Sequence, residues 1–104
     1  MAQRVFFLNR LRDGVDPADY EDWIRRVDYP VARAQDAIRS YTVTRIKGTL
    51  SGQGESPYHY LEVIEITDLD AYRALGSLAA FEKLLGEWSQ YVADAVMIHG
   101  DLVE

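Results

Sequence analysis

The stretch Tyr58-His59-Tyr60-Leu61-Glu62-Val63-Ile64-Glu65-Ile66-Thr67 is the most strand-like run in the chain, and the reading of the rest depends on it. Side chains alternate across a strand. His59, Leu61, Val63 and Glu65 therefore share one face, and Tyr58, Tyr60, Glu62, Ile64 and Ile66 share the other. Both faces are substantially apolar, so neither lies open to water along its whole length. That pattern marks a central strand with something packed on each side. Glu62 sits among apolar neighbours in mid-strand, where a carboxylate requires a partner, a water-holding cavity or a raised pKa. Two readings stand side by side: a general base or ligand-orienting group, and a structural ion pair with Arg39 or Arg45 on a neighbouring strand.

Upstream, Gln3–Leu11 reads as another central strand. Val5, Phe7, Asn9 and Leu11 lie on one face, and Arg4, Phe6, Leu8 and Arg10 on the other. Asp16-Pro17-Ala18-Asp19 is a helix start, with a capping carboxylate, a proline at the first helical position and an acid near the positive end of the dipole. Tyr20, Trp23, Ile24 and Val27 then follow helical spacing. Pro30 disfavours helical geometry at Tyr29, so a kink or an end is expected near Asp28-Tyr29, with a restart through Val31–Gln35. Ile38–Lys47 alternates as a more polar strand. Gly48–Pro57 is the long flexible loop.

Downstream, Thr67-Asp68-Leu69-Asp70 starts a helix that Gly76-Ser77 interrupts, with Ser77 placed to cap the second segment. Leu78, Phe81, Leu84, Leu85 and Trp88 continue at helical spacing, and Gly86 hints at a close approach. Ala95–Leu102 reads as the last strand. Trp23 and Trp88 fall on helix stripes and belong to the core.

The order β-α-β-β-α-β predicts an α+β, ferredoxin-like domain spanning residues 1–104. Its four-stranded antiparallel sheet carries two helices on one face. The other face is too apolar to stand open, so a homodimer forming a dimeric α/β barrel is expected. The 104 residues suit one domain. The net charge of −6 argues against a nucleic-acid partner or an anionic membrane surface. No apolar run is long enough to span a membrane. The amino-terminal residues read as a first strand rather than a signal peptide. With no cysteine, disulfides and thiolate chemistry are excluded and a cytoplasmic location is expected. Two histidines signal no metal site.

Three segments carry a family resemblance: Arg26-Val27-Asp28-Tyr29-Pro30-Val31-Ala32-Arg33, Ile38-Arg39-Ser40-Tyr41-Thr42-Val43-Thr44-Arg45 and Tyr60-Leu61-Glu62-Val63-Ile64-Glu65. Together they resemble the RedY-like (HapK-like) proteins of prodiginine and bisindole pigment pathways, within the dimeric α/β-barrel superfamily. The resemblance implies an intracellular role in specialised metabolism, on a reactive indole- or pyrrole-type intermediate, without a tightly bound cofactor. Related barrel cyclases often carry a histidine entering the second helix. Gly76-Ser77-Leu78-Ala79-Ala80-Phe81 has none, which puts a histidine-dependent mechanism in doubt.

Candidate catalytic groups are Glu62, Tyr41, His99 and Asp28, and candidate substrate contacts are Arg33, Arg45, Tyr29, Tyr60 and Tyr72. For Asp28 and Arg33 the alternative is a local ion pair beside the proline. For the tyrosines it is sheet packing. His99 could move a proton near neutrality, whereas His59 reads as a core or rim histidine on a face expected under the helices. Two function classes follow. One is a cofactor-independent enzyme steering cyclisation, decarboxylation, hydrolysis or coupling of a small aromatic molecule, with a cofactor-free monooxygenase as a variant. The other is a non-catalytic binding or chaperone protein for an unstable intermediate. Both need a cavity, which the enzyme reading places between sheet and helix; a third reading, a stress-type or purely structural dimer, would need none.

Overall fold

A computed structural model describes residues 2–104. Strand β1 spans Gln3–Leu11, β2 Ile38–Arg45, β3 Tyr60–Ile66 and β4 Val92–Asp101. They form one antiparallel sheet in the order β2-β3-β1-β4. The two strands with two apolar faces, β1 and β3, occupy the centre, as their patterns require.

The first helical layer runs through α1 (Pro17–Trp23), a π turn (Ile24–Asp28) and α2 (Tyr29–Arg33). Asp16 caps it by accepting from the Ala18 amide at 2.9 Å, with Pro17 in the first turn. The expected break at Asp28-Tyr29 is replaced by the wider turn, in which the Tyr29 amide donates five residues back to Ile24. Proline lacks an amide hydrogen, and its ring crowds the carbonyl four residues before it. Widening the helix accommodates both without ending it.

The second layer comprises α3 (Leu69–Ala74), a 3₁₀ turn (Leu75–Ser77) and α4 (Ala79–Tyr91). Asp68 caps α3 through the Ala71 amide. Ser77 does not cap α4: its hydroxyl donates back to the Ala74 carbonyl, and α4 starts at an uncapped Leu78. Gly86 meets open space rather than a close neighbour. β4 begins at Val92, directly after α4 and earlier than the alternation suggested.

Both helical layers cover the face bearing Val5, Phe7, Asn9, Leu11, Tyr60, Glu62, Ile64 and Ile66. The core closes around Tyr20, which stacks on Trp23 and meets Tyr60 edge-on. The face of Leu61 and Val63, expected beneath the helices, is the uncovered one. His59 is accordingly exposed, its Nδ1 accepting from the Leu11 amide at 2.9 Å. Strand register aligns Phe6 with Val63 and Ile98, and Leu8 with Leu61 and Val96, as an apolar patch on that face. No helix among the described residues is long and apolar enough to cross a membrane.

Candidate functional site

Glu62 projects from β3 beneath the helices and is 4 % exposed. Its partners are not Arg39 or Arg45. Tyr41 lies 2.8 Å from its Oε1 through the phenol oxygen, and the Asn9 amide donates to Oε2. The same Tyr41 hydroxyl lies 2.6 Å from Oδ2 of Asp28, which is 5 % exposed. Two local irregularities bring these groups together. A bulge at Arg39 rephases β2, so that Ile38 and Tyr41 both face the helices although three residues apart. The π turn ends at Asp28 and holds it on the buried line of Ile24 and Ala32.

A hydroxyl carries one hydrogen and can satisfy only one carboxylate at a time. With both carboxylates ionised, the second contact would set lone pair against lone pair. The arrangement therefore holds a further proton, on one of the two carboxyls, which then donates to the Tyr41 oxygen. Burial raises both acids. Glu62 is pushed up to about 7, with the Asp28 charge adding to the rise while hydrogen bonds from Asn9 and Tyr41 oppose it. Asp28 is pushed up to about 6 by burial, against the Tyr41 hydrogen bond and the Arg33 charge. Burial between these carboxyls raises the Tyr41 phenol far out of reach of ionisation, so it serves as a fixed donor and acceptor.

Asp28, Tyr41 and Glu62 line a cavity of about 40 Å³ between sheet and helices. Phe7, Phe81 and Trp88 supply aromatic walls, and Tyr72 completes the polar side. The Tyr72 phenol is raised to about 12, by burial and then by the two acids. Leu85, 43 % exposed, stands at the rim. Among the described residues no cluster of histidine, aspartate and glutamate is arranged to hold a metal ion.

The other candidate residues lie elsewhere. Arg33 donates from Nε and Nη2 to the Tyr41 carbonyl at 3.2 and 2.8 Å, and its guanidinium stacks 3.7 Å from the Tyr29 ring centre. It forms no ion pair with Asp28. Tyr29 accepts from the Val43 amide at 2.8 Å and meets Tyr41 edge-on. Tyr29 and Arg33 thus clamp the Tyr41 segment rather than line the cavity. Tyr60 donates to Glu21 at 2.6 Å, and Arg45 lies 3.4 Å from the same carboxylate, in a separate hollow. His99 stands exposed on β4, beside Gln3 and Asp101 and away from the acidic pair. Asn9 was not among the candidates. It is wholly buried, and its signal was a polar side chain on the apolar face of β1.

A family model described as REDY-like protein HapK matches residues 3–103. The chain belongs to this HapK family. Its structure is similar to the crystal structure of HapK from Hahella chejuensis, with 26 % identity, TM-score 0.82, and coverage of 97 % of this chain and 92 % of that one. A dimeric ferredoxin-like protein from Thermobifida fusca shares 22 % identity at TM-score 0.75, over 98 % of this chain and 92 % of that one. Hydroxynitrile lyase from Passiflora edulis has TM-score 0.80 at 8 % identity, over 99 % and 94 %, which shows a shared fold only. No curated protein matches the chain. HapK family membership agrees with the ferredoxin-like architecture and with the segments around Asp28, Tyr41 and Glu62 that carried the resemblance.

Proposed function

We propose that this HapK-family protein is a cofactor-independent acid–base enzyme of specialised metabolism that acts on a small, reactive aromatic molecule of indole or pyrrole type. The observation that carries this is the Tyr41 hydroxyl bridging two buried carboxyls in an aromatic-walled cavity. One carboxyl protonated and one ionised gives an acid and a base within reach of one ligand. Both are raised to within about a unit of neutrality, where proton transfer works best. Such help is typically worth roughly 10²–10⁴-fold, enough to steer cyclisation, decarboxylation, hydrolysis or coupling of an intermediate that is already reactive. The cavity, open on one side, has room for a few waters as it stands but not for a ring. Binding of a ring therefore requires the mouth beside Leu85 to widen. The working unit is a homodimer in which the patch of Phe6, Leu8, Leu61, Val63, Val96 and Ile98 is covered by a second copy.

Product profiling by mass spectrometry tests the reading. The purified protein is added to enzymes generating indole- or pyrrole-type intermediates, with and without oxygen. A new product that requires the protein and is lost in Glu62→Gln is expected. Dependence on oxygen would turn the reading to an oxygenase. Unchanged products with a longer-lived intermediate would replace it with a holding protein.

A further inference from the structure

We infer that the cavity selects a ligand whose aromatic body carries a cationic, protonated nitrogen directed at Asp28 and Glu62, and that it disfavours a carboxylate there. The inference rests on the acid–base site just described and adds the charge class of what occupies it. Among the described residues that line the cavity, only Asp28 and Glu62 are charged. Both are at least nine-tenths buried, and only one of the two Asp28 oxygens has a protein partner. The second oxygen, on a residue that lines the cavity, is an acceptor left for a ligand.

The two candidate arginines are committed elsewhere. Arg33, whose charge Asp28 still feels, is held by the Tyr41 carbonyl and the Tyr29 ring and does not line the cavity. Arg45 faces Glu21 in another hollow. The remaining polar liners, Tyr72 and Trp88, are uncharged. With at most one shared proton the Asp28–Tyr41–Glu62 unit is net negative, and at pH 8, above the raised Glu62 value of about 7, that proton is lost and both carboxyls carry charge. The pair is buried, where charge is weakly screened, so an anionic ligand end is repelled and a cationic one attracted. An N–H⁺ donor also meets the vacant Asp28 oxygen with a charge-assisted hydrogen bond.

The test uses three near-isosteric probes, 1-naphthylmethylammonium, 1-ethylnaphthalene and 1-naphthylacetate, titrated calorimetrically at pH 8 into wild type and Glu62→Gln. In wild type the ammonium is expected to bind about tenfold or more tighter than the ethyl compound, and the carboxylate weakest of the three. In Glu62→Gln the ammonium's advantage shrinks while ethylnaphthalene binding stays the same. Tighter binding of the carboxylate, equal binding of all three, or binding of none would overturn the inference. The acid–base reading stands or falls separately, on whether Glu62→Gln abolishes product formation.

Discussion

Replacing Glu62 by glutamine is expected to reverse part of the protein's dependence on pH. The side chain keeps its shape and can still accept from Tyr41. Its new amide hydrogens then face Asn9, whose Oδ1 has no partner and can turn to meet them. What disappears is a carboxyl lifted by burial from 4.5 to about 7. Between those values the folded chain holds this proton and the unfolded chain releases it. Stability from this group is therefore full at low pH and is lost as pH rises through the folded value. From pH 5 to pH 8 the loss integrates to about 2.5 kcal/mol. Asp28 is present in both proteins and cancels to first order. Urea unfolding of wild type and variant at both pH values measures the difference directly. The variant should gain roughly 2–3 kcal/mol relative to wild type on going from pH 5 to pH 8. A gap that stays constant across that range would refute the claim that burial holds a proton on Glu62.

Removing the bridging hydroxyl by Tyr41→Phe leaves two buried acids without their shared partner. Turnover on the product-profiled substrate should fall by roughly 10² or more, with about 1–3 kcal/mol lost in urea unfolding. Ile66→Ala, at a site 1 % exposed on the same strand, should cost about 2–5 kcal/mol through the cavity it leaves. Because it spares the acidic pair, residual folded protein should retain its turnover in an assay corrected for the folded fraction. Ile98→Asp, on the uncovered face and 51 % exposed in the single chain, should leave the monomer fold intact by circular dichroism. It should shift the sedimentation profile from dimer to monomer.

The layout of the fold was legible because it is written in patterns of period two and period 3.6. The double apolar faces of β1 and β3 placed them centrally, and Asp16-Pro17 and Asp68 marked helix starts that the structure confirms. Asp28, Tyr41 and Glu62 were each visible as candidates, yet nothing in their spacing says that one hydroxyl joins them. That junction depends on the Arg39 bulge and the π turn, single-residue irregularities that periodicity averages away. The covered face of β3 was misassigned for His59 because Leu61 and Val63 are as apolar as Ile64 and Ile66. When both faces are apolar, alternation cannot tell which one the helices take. Arg33 looked like a ligand contact or a partner for Asp28. Its actual targets, a backbone carbonyl and an aromatic ring, carry no charge signature in sequence.

The turn at Ile24–Asp28 works as a phase correction. Side chains four apart on an α-helix drift by about 40° per step. Over the twelve residues from Tyr20 to Ala32 an unbroken α-helix would swing the last well away from the first. Tyr20, Ile24, Asp28 and Ala32 are nevertheless all buried against one sheet. The slack residue in the wide turn absorbs the drift, as a leap day keeps a calendar aligned with the seasons. The acidity of the cavity is thus tied to a count of residues as much as to their identity. With the same residues wound as plain α-helix, the eight steps from Tyr20 would leave Asp28 about 80° off the buried line, so it is the wide turn that keeps the aspartate in the cavity.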